Sequence, residues 1–294
     1  MADIRNTGIF ADTSSGGGLF RGYLRTDTTT DVASVARNTK VPGVPIGLVA
    51  LREGTGYFND FRDETNEVNL SNLYEALDVG TQTVNPSVFA MDGEGNGVMR
   101  LTSDATDGDG NSVSRNQVTQ LPMCIAPVAG RVCVFETRVR CSSWDTIHWF
   151  AGILESTGST ILITANGDMI SGLEYVGFHY NDDDDTAGVP TLVAAGANNT
   201  EVTTTPVDRQ GVATTISALT DDQWYRFGIR IEGTDNIEWY IDDELVGAAV
   251  LASPFTGNTG AGAVGLYTSW GSVMNSAATV TFDVDYELTW QSRE

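Results

Sequence analysis

The sequence predicts an all-β protein, a two-sheet antiparallel sandwich with an extended N-terminal arm, and three observations lead there. In residues 224–247, Tyr225, Phe227, Ile229 and Ile231 alternate with Trp224, Arg226, Gly228 and Arg230. After a polar turn at Gly233–Asn236, Ile237, Trp239 and Ile241 resume the alternation, and Asp242-Asp243-Glu244 turns the chain into Leu245-Val246-Gly247. Period-two alternation of this kind is that of half-buried strands covering a core with one face. Near the end, Val280, Phe282, Val284, Tyr286, Leu288 and Trp290 are read as facing inward, with Thr281, Asp283, Asp285, Glu287 and Thr289 turned to solvent. The third observation is punctuation: 32 glycines and the pairs Asp92-Gly93, Asp107-Gly108, Asp109-Gly110 and Asn166-Gly167 mark tight turns between short runs.

The candidate strands, in order, are 87–91, 97–102, 131–141, 146–154, 159–164, 173–180, 191–195, 202–205, 224–232, 237–241, 262–269 and 278–290. Twelve strands at this spacing suit two packed sheets in one domain. Helical pattern is scarce. Leu70, Leu73, Tyr74 and Leu77 share a helical face, and a turn entering the first strand reads equally well there.

Residues 1–56 read as the arm and 57–294 as the sandwich. The arm holds Gly16–Gly18, a Thr/Asp run at 26–31, and Pro42 and Pro45, with little patterned apolar sequence. Such a segment buries too little to order itself. Its one apolar stretch offers Val41, Val44, Ile46, Leu48 and Leu51 as interaction residues that could enter grooves on neighbouring subunits.

The net charge is −23, from 16 basic and 39 acidic residues. That balance argues against nucleic acid and against anionic membranes as partners. No stretch approaches 18 apolar residues and the first fifteen have no basic start with an apolar core, so neither a membrane span nor a leader peptide is expected. Cys133 and Cys141 fall on one strand, eight residues and roughly 26 Å apart, beyond disulfide reach; they read as reduced core residues, with Cys124 left open as a partner to one of them.

The order W-Y-x-F-x-I-x-I, polar turn, I-x-W-Y-I-D-x-E-L-V in 224–246 resembles the laminin-G and concanavalin A-like jelly rolls. FRDET at 61–65, GNGVMRLTSDATDGDGNS at 95–112, VFETRVR at 134–140, VGFHYNDDDD at 176–185 and VDYELTW at 284–290 resemble bacteriophage structural proteins that join a short arm to such a sandwich. The resemblance implies a jelly-roll fold and a virion location after synthesis in the host cytoplasm. It assigns no site residue.

Concanavalin A-like glycosidases carry alternate acids on one strand, and retaining hydrolysis needs two carboxyl groups about 5 Å apart. Asp283, Asp285 and Glu287 alternate in that way, but Asp stands first where the glycosidases use Glu, and the strand is the last in the chain. A solvated outer face is therefore expected. Calcium is the one cofactor the oxygen clusters suggest, through Asp107, Asp109 and Asn111 or through Asp182 and Asp184. The first set lacks the glycine and the distal glutamate of a helix-loop-helix calcium site. His148 and His179 sit among aromatic residues with no G-x-S-x-G or zinc spacing and read as packing residues. Trp144, Tyr267 and Trp270 flank loops and are candidates for sugar-stacking platforms.

These observations favour a structural virion protein without enzymatic activity, decorating or cementing a capsid, homo-oligomeric and held to other virion proteins by its arm. The alternative is a carbohydrate-binding tail-fibre or lectin-like module that recognises host glycans. A glycosidase using Asp285 and Glu287 comes third. Deleting residues 1–56 should leave a soluble sandwich that no longer joins its particle, measured by co-sedimentation with virions. Unchanged co-sedimentation would place the anchor on the sandwich.

Overall fold

The computed structural model describes residues 54–59, 61, 74–81, 87–90, 97–103, 105–115, 125–155, 162–183, 185–198, 200–208, 210–256, 265–275 and 278–292. The interaction residues Val41, Val44, Ile46, Leu48 and Leu51 lie outside that set, as does Cys124. Among the described residues there are fifteen strands and no helix.

Eight strands form one antiparallel sheet: β1 (Gly54–Asn59), β3 (Ser87–Ala90), β4 (Gly97–Thr102), β6 (Val132–Cys141), β11 (Tyr225–Glu232), β12 (Asn236–Ile241), β13 (Glu244–Val250) and β15 (Thr281–Ser292). Their order is β13-β12-β11-β6-β15-β4-β3, and β1 also pairs with β15. The second sheet holds β2 (Tyr74–Val79), β5 (Gly110–Arg115), β7 (Ile147–Glu155), β8 (Tyr175–Tyr180), β9 (Thr191–Ala195), β10 (Glu201–Thr204) and β14 (Leu266–Met274), in the order β10-β9-β8-β7-β14-β5-β2. This is the jelly-roll sandwich that the alternation foretells. The β12–β13 hairpin turns on Asp242 and Asp243, both at positive φ (47° and 78°), as a two-residue hairpin requires.

Aromatic packing between the sheets joins β11 to β7 and β8. The Phe227 ring stacks on Trp149 (centroids 5.6 Å, planes 4° apart) and on Phe178 (4.5 Å, 21°). Trp144 meets Trp149 edge-on at 5.0 Å. Its indole N–H donates to the Thr220 carbonyl at 3.1 Å, and that of Trp239 to the Gly177 carbonyl at 3.0 Å. Such pairs add about 0.5–1.5 kcal/mol each beyond area burial. Phe135, Phe227, Ile229, Ile231, Phe282 and Val284 all lie in this core, as read from the sequence. Cys133 and Cys141 are buried there as reduced thiols.

Tyr286 does not join them. The register of β15 on β6 slips between Val284 and Tyr286, so that Val284 faces Val139 while Tyr286 faces Arg138. One extra residue in a strand exchanges its two faces from that point on. Tyr286 therefore points away from the core and its hydroxyl donates to Glu136 at 2.6 Å. Leu288 and Trp290 follow it outward, buried but outside the core cluster. Glu287, expected in solvent, turns into the core with none of its side chain exposed and forms an ion pair with Arg115 of β5. The Tyr74 hydroxyl of β2 donates to the same carboxylate at 2.5 Å.

β1, β2 and β5 were not foreseen. Tyr74–Val79 is a strand paired with β5, not a helix. Of the 159–164 candidate strand only 162–164 are described, and they lead into a turn, with a bridge from Ile163 to Met169.

Removing one member of a buried ion pair leaves the other charge without compensation. Arg115→Met should therefore lower the unfolding free energy by about 3–5 kcal/mol, whereas Arg115→Met with Glu287→Leu should recover most of it. Urea denaturation reads both. A single-variant cost below about 1 kcal/mol would show that the pair does not couple the sheets.

Candidate functional site

The three acids of β15 do not converge. Asp283, on the outer face of its sheet, accepts from Arg100 Nε (2.6 Å), Arg100 Nη2 (2.8 Å) and Arg140 Nη2 (2.6 Å). Asp285 occupies the bulge and meets Arg138 Nη1 at 2.9 Å. Glu287 is inside. Asp285 and Glu287, the pair a glycosidase reading would use, therefore lie on opposite faces and cannot flank one glycosidic bond.

The calcium candidates are likewise spent or dispersed. Asp109 takes the Thr81 N–H (2.6 Å) and hydroxyl (2.7 Å), which caps the turn after β2. Asn111 lies on β5 in the interior and donates to the Thr102 carbonyl at 2.9 Å, while Asp107 is exposed. Asp182 accepts from the Tyr180 hydroxyl (2.9 Å) and from Asn275 Nδ2 (2.8 Å); Asp184 is outside the described residues. Among the described residues no group of three or more His, Cys, Asp or Glu side chains could hold a metal ion. Trp144, Tyr267 and Trp270 are all buried, at 0%, 2% and 0% exposure, so none is a sugar platform.

The site that does form is a cleft of about 420 Å³ on the outer face of the second sheet. Cross-strand register builds its floor. Tyr175, Ala195 and Glu201 make one row across β8, β9 and β10, and the small Ala195 lets the Tyr175 hydroxyl reach over it to the Glu201 carboxylate. Gly177, Val193 and Thr203 make the next row, and His179 and Thr191 the third. Asn181 and Asp185 close one end and Asp168–Ser171 form a wall.

That wall belongs to a tight turn. The Thr164 N–H donates to the Asp168 carbonyl at 2.9 Å, and the Ile170 N–H to the Leu162 carbonyl at 3.0 Å. Leu162, Ile163, Met169 and Leu173 pack on Phe150, Leu154, Val193 and Val273 in a second apolar cluster. At the tip Gly167 has φ +81°, and a Cβ there would lie 2.4 Å from His148 Nδ1, so two independent demands select glycine.

Hydrogen bonds fix the polar groups. Asp185 accepts from the Thr191 hydroxyl (2.7 Å) and the Asn181 N–H (2.8 Å). Burial, and then the bond to Glu201, push the Tyr175 phenol well above its ordinary value, so it stays a donor. His179, 7% exposed, meets the Gly167 carbonyl through Nε2 at 2.8 Å. A carbonyl only accepts, so the proton is on Nε2. Burial also holds the imidazole below its ordinary value, which leaves Nδ1 an acceptor. Nδ1 meets no donor among the described residues. Sequence reasoning missed this site: it read His179 as a packing residue and did not single out Tyr175, although strand spacing puts the two on one face of β8.

No family model matches the chain, and no curated protein matches it. Solved structures with similar sandwiches include the carbohydrate esterase of the Shiga toxin-encoding bacteriophage phi24B, 11% identical over 82% of this chain and 100% of that one, TM-score 0.44. Others are the Bacillus licheniformis β-glucanase (12% identity, 82% and 99% coverage, TM-score 0.48) and a family 16 endo-glucanase from Bacteroides ovatus (8%, 79% and 98%, 0.48). At these identities and scores the likeness is one of fold and assigns no activity. The expectation of a chain without enzymatic activity is corrected here: glycoside hydrolases stand among the proteins with this sandwich, so the sandwich excludes no such activity.

His148 shares the lowered imidazole value, again through burial. Both rings are neutral in the folded protein, whereas the unfolded chain takes up protons once the pH falls below 6.5. Their contribution to stability is complete above that value and is lost as the pH falls towards the lowered folded values. The denaturation midpoint should drop between roughly pH 7 and roughly pH 5.5, and drop less in His179→Asn. An equal drop in both would remove His179 from the account.

Proposed function

We propose that the protein recognises carbohydrate, and that the cleft over β8, β9 and β10 is the saccharide site. The observation that carries the reading is the floor: two strand rows end in hydroxyl or carboxylate groups, Tyr175 with Glu201 and Thr191 with Asp185, each held by a hydrogen bond within the protein. Preset acceptors of this kind suit a ligand covered in hydroxyl donors and lower the ordering cost of binding. The apolar edge supplied by Met169 and Ile170 gives the face of a sugar ring something to lie against.

The chain is further proposed to act within a virion, with Val41–Leu51 attaching it to other virion proteins as a homo-oligomer. What supports this is the composition of the arm, which holds apolar residues but too little pattern to fold alone. The same cleft then serves a fibre or decoration protein that meets host glycans.

A glycan array probed with the full chain, followed by titration calorimetry of the best ligand, tests the site. Glu201→Gln should weaken binding about tenfold or more, the scale of one charged hydrogen bond, with little change in thermal midpoint because Glu201 is exposed. Chromatography of the incubated oligosaccharide reads cleavage in the same samples. Full affinity in the variant, or no binding on the array, would sink the proposal.

A further inference from the structure

We propose that the cleft selects saccharides bearing free amino groups; this rests on the saccharide reading above and names its ligand class. The argument is a count of donors against acceptors. Three carboxylates line the cleft from three separate places: Asp168 in the turn, Asp185 beyond β8 and Glu201 on β10. Among the described residues the lining contains no lysine or arginine.

The described arginines lie elsewhere. Arg100, Arg138, Arg140, Arg226 and Arg230 form ion pairs on the other sheet, Arg131 immediately precedes β6 of that sheet, and Arg115 is in the core. The donors that do hold the cleft carboxylates are neutral: the Tyr175 and Thr191 hydroxyls and the Asn181 N–H. They orient the charge without cancelling it.

His179 is an independent observation that points to the same ligand. It is nine-tenths buried and lines the cleft, its Nε2 proton is committed to the Gly167 carbonyl, and its Nδ1 is an acceptor with no donor among the described residues. The remaining donors are the neutral Ser171 and Thr203 hydroxyls and the Asn181 amide, so among the described residues the site offers charged acceptors and no lysine or arginine donor. An ammonium group brings three donors and no acceptor, and sugar hydroxyls bring more. A uronate or sialate brings a carboxylate that finds few donors and three like charges, in a protein whose net charge is already −23. A bare metal ion is a poor fit, because the described acids do not gather closely enough to ligate one.

Calorimetric titration of the full chain with three probes of matched length tests this: chitosan oligosaccharide (free amines), chitin oligosaccharide (the same backbone, acetylated and neutral) and oligogalacturonate (anionic). The amine form should bind about tenfold tighter than the neutral form at low salt, with the gap narrowing as salt rises, and the anionic form should show no heat of binding. Asp168→Asn with Glu201→Gln should reduce the preference for amine while retaining weak binding of the neutral form. Neutral or anionic oligomers binding as tightly as the amine would overturn the specificity and leave the saccharide site standing. Absence of binding by all three, together with a blank glycan array, would overturn both. Spermine binding as tightly as the chitosan oligomer would show a site that reads charge without sugar, and would also overturn it.

Discussion

The architecture turns on a carboxylate in the core. Glu287 of one sheet and Arg115 of the other are both fully enclosed, and the Tyr74 hydroxyl joins them. Taking two charges out of water costs several kcal/mol each, repaid only when the partners stay in register. The pair therefore acts as a registration device across the sandwich: β15 cannot slide on β5 without stranding a buried charge. The bulge between Val284 and Tyr286 makes this arrangement available, because it swings Glu287 inward and leaves Asp285 beside Arg138.

The same bulge divides the charges. Outside, Asp283 and Asp285 are met by Arg100, Arg138 and Arg140, and the last two cover the Trp224 ring at 4.8 and 4.7 Å from its centroid. Five of the described arginines, Arg100, Arg138, Arg140, Arg226 and Arg230, thus stand in ion pairs on that one sheet. Asp168, Asp185 and Glu201 line the cleft with no lysine or arginine among its described lining residues, and the proposed ligand chemistry follows from that imbalance.

Much of the sandwich was legible because alternation reports burial directly. β11 and β12 show it without interruption, and Phe227, Ile229, Ile231, Ile237 and Trp239 are core residues as the period requires. β5 was illegible: Gly110–Arg115 reads as a polar turn, since its inward positions are Asn111, Val113 and Arg115, and it is Glu287 from the facing sheet that makes an inward arginine tolerable. The bulge was invisible for a related reason. Apolar residues continue at every second position to Trp290, and Leu288 and Trp290 are indeed buried, but on the other face. Periodicity carries the fact of burial and loses its side once a residue is inserted.

The position of the cleft at the β10 edge, away from the middle of its sheet, has a packing cause. Phe150 lies across Gly177 so closely that a Cβ there would come within 2.3 Å of its ring, and the Leu162–Leu173 turn covers the ring in turn. The centre of the face is thus sealed by apolar contacts, which leaves polar chemistry only where the cover ends. There the strands become short and polar, Glu-Val-Thr-Thr in β10, which also suits an edge that must resist pairing with other chains. His179, Thr191 and Glu201 stand at that margin, supported on one side by the core and open on the other. Neither a motif nor a run of residues announces such a site; it arises where a sealed face runs out.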